Sequence, residues 1–292
     1  MEAMRCYARL HGYRFRTLRR DAYGDACTRR DIFFAKHCIV AKTLADEPDG
    51  TVVVVLDADV TPANDEVPIE RFLDGSDLIF YERGQDLPTG DYELAAGNYI
   101  VRNGDFARSF LNLWSLYDYP MPKGFSSSDN GAIHVVMARA LGAPNAEECA
   151  AGYRALSGTN LNLETMYFPW VKLCRKFVQA GHHVVAGGLP PYPMDESFRR
   201  NLPHPAGRIT IASTWRAFVV DGSLARPAAW DQSGRSPTGD WVHPALFHGL
   251  KDSSQFTATA EHCALVQLHD HRDALESVLE SGRRGSERTH LS

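Results

Sequence analysis

Thr51-Val-Val-Val-Val-Leu56 is an unbroken row of β-branched and aliphatic residues that ends abruptly in Asp57-Ala-Asp59. A run this apolar predicts a fully buried strand, of the kind found inside a parallel sheet covered on both faces. Two carboxylates at i and i+2, placed where the strand leaves the sheet and before the turn residues Thr61-Pro-Ala-Asn64, can converge on one divalent cation. Open α/β sheets bind their ligands at that carboxyl edge. The plainer reading of the same residues is an acidic loop solvated after a core strand.

The neighbouring segments point to the same fold class. Asp31 is placed to cap a helix through Phe33, Phe34, Val40, Ala41 and Leu44, which Pro48-Asp-Gly50 ends. Beyond the acidic turn, Ile69 to Leu73 reads as a short helix, Asp77 to Tyr81 as a strand and Glu93 to Arg102 as one further strand. Asp105 should cap a helix with Phe106, Phe110, Leu113, Trp114 and Tyr117 on one face. A helix after Ser126-Ser-Ser turns Ile133, Val136, Met137, Ala140 and Leu141 inward and holds Asp129 and Asn130 in its first turn, where backbone N–H groups are unpaired. Residues 145–180 read as helical with breaks at Gly152 and at 158–160, and 181–250 as short strands between loops. Strands alternating with helices predict an α/β fold with a mixed, mostly parallel sheet flanked by helices. The chain divides into a domain over 1–262 and a C-terminal helix with a polar tail over 263–292. Glu2 to Leu10 reads as a helix and Tyr13 to Leu18 as a strand with no strand in front, so a first strand, and any targeting segment before it, is expected upstream.

A net charge of -5 and a pI near 6.2 leave no basic stripe for a phosphate backbone, which excludes a general nucleic-acid binder. No stretch approaches the roughly 18 apolar residues of a membrane span. Cys6, Cys27, Cys38, Cys149, Cys174 and Cys263 form no C-x-x-C pair and no zinc spacing. Cys38, on an apolar helix, is expected to be buried as a small hydrophobe, and disulfides stay open as an alternative.

Hard oxygen ligands such as Asp57 and Asp59 suit Mg²⁺ or Mn²⁺, and an imidazole in the set tilts the choice to Mn²⁺. His248, in Phe247-His-Gly-Leu-Lys251, can supply it; Gly249 allows close backbone approach and Lys251 can neutralise a diphosphate. With 12 histidines in the chain, the competing reading of His248 is an ordinary surface or core residue.

Four segments in order, Val53 to Asp59, Ala96-Gly-Asn-Tyr-Ile-Val-Arg-Asn103, Ser128-Asp-Asn-Gly-Ala-Ile-His134 and His248-Gly-Leu-Lys251, resemble the motifs of nucleotide-diphospho-sugar transferases of the GT-A (Rossmann-like) fold. Cys6-Tyr-Ala-Arg-Leu-His-Gly-Tyr13 is similar to a branch of these enzymes expanded in nematodes, and more distantly the chain resembles glycogenin-like and galactosyl-mannosyltransferase-like families. The resemblance implies a retaining glycosyltransferase in which Asp57, Asp59 and His248 hold Mn²⁺, or Mg²⁺, and through it the diphosphate of a UDP-type sugar. It implies donor contacts from Lys36, Gly97, Asn98, Gly249 and Lys251, and catalytic roles beside the anomeric carbon for Asp129 and Asn130. An amide at 130 is a poor nucleophile, so same-face attack with Asp129 orienting the acceptor hydroxyl is the expected course. The acceptor, whether glycan, protein or lipid, is not specified. A Golgi or secretory lumen is implied if a membrane anchor lies upstream, and the cytoplasm otherwise.

Two rival readings use the same residues. Asp57-Ala-Asp-Val-Thr61 also fits the haloacid-dehalogenase pattern, with Asp57 attacking a phosphoryl group and Asp59 as acid/base. A transferase fold without turnover, acting as a sugar- or nucleotide-binding module, is the other.

Overall fold

Alternation along the strands sorts residues into two cores on opposite faces of one sheet. A computed structural model describes residues 2–83, 93–122, 128–156, 166–186, 188–190, 205–221 and 244–249 of the chain. Among these, helices α1 (Glu2–Leu10), α2 (Ile32–Ala45), α3 (Asp105–Leu116), α4 (Ser128–Ala140), α5 (Ala146–Ala155) and α6 (Phe168–Arg175) accompany strands β1 (Val52–Val55), β2 (Val60–Pro62), β3 (Leu78–Arg83), β4 (Glu93–Leu94), β5 (Tyr99–Arg102), β6 (Gly181–Val185), β7 (Gly207–Ala212), β8 (Val219–Asp221) and β9 (Leu246–His248).

The main sheet runs β1-β5-β3-β7-β6, with β4 also on β3. Val55, Leu78, Phe80, Tyr99 and Val101 face α2 to α6, while Ile79, Tyr81 and Ile100 face α1 and a small sheet of order β2-β9-β8. The side-chain period of two delivers this division without any further signal.

The expected mostly parallel sheet is corrected: within the main sheet only β3 and β7 pair in parallel, and β1–β5, β5–β3, β3–β4 and β6–β7 are antiparallel. Parallel neighbours need a crossover of a dozen or more residues, usually a helix. No α-helix lies among the described residues between β1 and β5, so the chain reverses where the βαβ reading had it cross over. The valine strand is corrected as well. β1 is the end strand of the sheet, and of its four valines only Val55 is buried, although both faces are covered.

Other corrections are local. Residues 13–18 form no strand among the described residues, and Glu93 to Arg102 is two strands interrupted at 95–98. Gly104, rather than Asp105, is the cap of α3, and Phe33 is exposed. Gly152 does not break a helix: α5 runs through it, because a Cβ there would lie 2.5 Å from Cδ1 of Trp170 on α6, so glycine is what lets the helices close. Cys38 is bonded to Cys27, and Cys149 to Cys174, so burial as free thiols is replaced by cross-linking. Lys251 and the expected helix over 263–279 lie outside the described residues.

Candidate metal and ligand site

β1 ends at Val55, and after the four residues Leu56 to Asp59 the chain continues at Val60 as β2, which pairs antiparallel with β9. In that register Val60 lies opposite His248, so the strand ladder alone brings an imidazole 118 residues beyond Asn130 to the side of Asp59. His248 Nε2 is 3.3 Å from Asp59 Oδ1 and 3.7 Å from Asp57 Oδ2. One ligand atom from each of the three residues lies within 4.8 Å of the others, the one such group among the described residues. Two ligands about 2.1 Å from a common ion lie about 3 Å apart when they subtend a right angle, so two carboxylates and an imidazole at these spacings fit one divalent cation. Gly249 carries φ +89°, a backbone region L side chains rarely adopt, and its N–H donates to the carbonyl of Asp59, closing the turn behind the cluster.

Asp57 is set from behind by the interrupted strand. Its backbone N–H donates to Asn98 Oδ1 at 2.9 Å, while the Asn98 amide nitrogen donates to Tyr81 Oη at 3.2 Å. Asn98 is fully buried, so what it contributes to the site passes through Asp57. Gly97 is present for space: a Cβ would fall 2.0 Å from Asp57 Oδ2, displacing the carboxylate. Asn130 works similarly, its side-chain oxygen accepting from Ala96 N–H at 2.9 Å and tying α4 to the same interruption.

Lys36, on the face of α2 toward the D-x-D, joins the two acidic positions. Its Nζ is 3.1 Å from Asp57 Oδ1 and 3.3 Å from Asp129 Oδ2. Burial works against its charge, but Asp129 and Asp57 more than compensate and raise its pKa. Burial likewise pushes the Asp129 carboxyl up; Lys36 and a hydrogen bond from His37 outweigh this and hold it at about 2. Asp129 is therefore a fixed carboxylate in the first turn of α4, where the helix dipole also favours negative charge. The two helices are locked end to end: Asp31 caps α2 through Oδ1 and accepts from Ser128 Oγ at 2.6 Å through Oδ2.

A cleft of about 620 Å³ opens beside this cluster and runs along β1, a size suited to a small ligand. Its walls are mostly apolar, and of the site residues only Lys36 and Asp57 line it.

The model of a family described as "Protein of unknown function, DUF273" matches residues 4–179. The chain belongs to the DUF273 family. The DUF273 match spans Lys36, Asp57, Asp59, Gly97, Asn98, Asp129 and Asn130, whereas His248 and Gly249 lie beyond it. No curated protein and no solved structure matches the chain.

Of the residues expected from the sequence, Lys36, Asp57, Asp59, Gly97, Asn98, Asp129, Asn130, His248 and Gly249 come together. What sequence reasoning missed is His37, fully buried and in contact with Asp129, together with Tyr99 and Trp114 around it. His37 adjoins Lys36 and Tyr99 adjoins Asn98, so adjacency to expected site residues was the available signal. Among the described residues no helix is long and apolar enough to cross a membrane.

Proposed function

We propose that this protein is a metal-dependent glycosyltransferase of the GT-A type, which moves a hexose from a UDP-type nucleotide sugar to an acceptor with retention of configuration. The observation that carries the reading is the convergence of Asp57, Asp59 and His248 on one point, with Lys36 and an ionised Asp129 alongside. Asp57, Asp59 and His248 would hold Mn²⁺, with Mg²⁺ as the alternative, and the imidazole favours Mn²⁺. Such a cation supplies Lewis acidity to a departing diphosphate. Lys36 adds a second positive charge at the same place. Asp129, kept ionised, can accept a hydrogen bond from an acceptor hydroxyl and orient it. The disulfides Cys27–Cys38 and Cys149–Cys174 support an oxidising compartment such as a secretory lumen. The phosphatase reading has less support: it leaves Lys36, Asp129 and His248 without a task, and the described residues hold no second acidic metal cluster.

A donor screen that records UDP release with and without Mn²⁺ tests the proposal. Mn²⁺-dependent release from one donor is expected, and Asp59→Ala should abolish metal-dependent donor binding while leaving the circular dichroism spectrum intact. Unchanged donor affinity in that variant overturns the reading, and undiminished Mn²⁺ affinity in His248→Ala removes the histidine from the ligand set. Sugar binding without UDP release would point to a binding module, and phosphate release from a phosphomonoester to a phosphatase.

A further inference from the structure

Behind Asp129 lies a buried polar chain that the metal cluster does not use. His37 is completely buried and lies flat on Trp114, ring centroids 3.4 Å apart and planes 16° from parallel. Its Nε2 is 3.1 Å from Asp129 Oδ2, and its Nδ1 is 3.1 Å from the hydroxyl of Tyr99, which is also completely buried. The indole N–H of the same Trp114 donates to the backbone carbonyl of Asp129 at 3.2 Å. Main chain and side chain of Asp129 are thus gripped by one aromatic pair.

The partners leave a single arrangement of protons. A carboxylate only accepts, so the nitrogen facing Asp129 must carry hydrogen. Burial keeps the ring neutral, which leaves Nδ1 bare to accept from the Tyr99 hydroxyl. The chain therefore runs Tyr99 O–H to His37 Nδ1, and His37 Nε2–H to Asp129 Oδ2. Oδ2 also takes Lys36, while among the described residues Oδ1 takes no hydrogen bond.

We infer that His37 is the positioning residue of this site: fixed as the Nε2–H tautomer by Tyr99 and laid against Trp114, it holds Asp129 by Oδ2 so that Oδ1 is presented to the acceptor hydroxyl. The inference rests on the transferase reading for the identity of that hydroxyl, but not for the grip itself. The partners of His37 are Asp129, Tyr99 and Trp114 rather than the three candidate metal ligands, so it should govern turnover rather than donor affinity.

Two measurements test it separately. Nitrogen-15 NMR of histidine-labelled, metal-free protein at pH 7.5, with the His37 signals assigned by their loss in His37→Gln, should show protonated Nε2 and bare Nδ1. The opposite tautomer, or a charged ring, overturns the grip. In the donor assay, His37→Phe keeps a ring against Trp114 but removes the N–H, and should lower kcat about a hundredfold, the scale of a catalytic group misplaced by about 1 Å. The donor KM and Mn²⁺ affinity should stay within about threefold. His37→Gln, whose amide can reach the place of Nε2–H, should recover at least about a tenth of the lost rate. Tyr99→Phe, a change of one hydroxyl, should fall between them and carries the test if phenylalanine at 37 prevents folding. An undiminished kcat in His37→Phe, or glutamine no better than phenylalanine, overturns the positioning role. If the wild type releases UDP from no donor, the transferase reading falls and the acceptor role with it, while the NMR result still decides whether His37 holds Asp129.

Discussion

Lys36 Nζ stands between Asp57 and Asp129, 3.1 and 3.3 Å from the two carboxylates. A divalent ion arriving at Asp57 must share that carboxylate with an ammonium already paired to it, whereas an incoming diphosphate gains from the same charge. Removing the charge should therefore act on the two ligands with opposite signs. Lys36→Met is expected to tighten Mn²⁺ on the order of tenfold, since a unit charge a few ångströms away is worth a few kcal/mol before solvent screening, and to weaken the nucleotide sugar by a similar factor. Titrating Mn²⁺ by its electron spin resonance signal, with and without UDP-sugar, checks both; weaker binding of both ligands would mean that Lys36 holds the site together rather than competing for it. The acidic pair was legible in the sequence because two aspartates at i and i+2 after a strand need no tertiary information to be neighbours. Lys36 and Asp129, 93 residues apart, were placed by resemblance, and His37 was not placed at all, because nothing in the pattern of a buried amphipathic helix distinguishes a histidine facing another helix's carboxylate from any other core residue.

The helices were legible from the spacing of their large apolar residues and from their caps. The stripe Phe106, Phe110, Leu113, Trp114 and Tyr117 of α3 is buried as its spacing requires, and Asp31 caps α2 through the Phe33 N–H. Legibility failed where a property of the partner decides. The pairing direction of a strand depends on what lies beside it, so a row of valines covered on both faces could not announce that β1 ends the sheet among the described residues. Glycine in α5 gave the same trouble, since local propensity reads Gly152 as a break whereas the indole of Trp170 reads it as the place where α6 comes closest. That contact gives a measurable consequence. Gly152→Ala gains roughly 1 kcal/mol of helix propensity but drives a methyl into a buried indole whose N–H is committed to Cys149 O. Overpacking typically costs about 1–3 kcal/mol, so the variant should gain no stability and lose up to about 2 kcal/mol in urea unfolding, with its slope against urea unchanged. A more stable variant would show that the helices can move apart freely.

Two buried histidines and several buried tyrosines fix how the whole molecule responds to pH. Burial pulls the His37 pKa down to about 4; the hydrogen bond that His37 donates to Asp129 opposes this, and the Lys36 charge lowers the pKa further. His134 on α4 lies edge-on to Trp170 with neither ring nitrogen hydrogen-bonded, and burial, with Arg175 and Arg83, depresses it well below the ordinary value. A base whose folded pKa is depressed takes its proton first in the unfolded chain, so stability is full above about 6.5 and is lost as pH falls through the interval down to the folded value. For His37 that interval is about pH 6.5 to 4 and the loss is about 3 kcal/mol by pH 4. Asp129, depressed to about 2, adds a separate loss that begins only below about 4. At the alkaline end Tyr99 and Tyr153 are raised by burial, so the unfolded chain releases their protons first and stability declines above about pH 10. Thermal unfolding should accordingly give a plateau from about pH 7 to 9 with a fall on either side. His37→Phe should reduce the steepness of the acid side between about 6.5 and 4, and pairing it with His134→Phe should reduce it further, leaving the fall below 4 in place. An acid arm as steep in the double variant as in the wild type would mean that these two rings take up protons within the fold, so that burial does not hold His37 neutral through the acid interval.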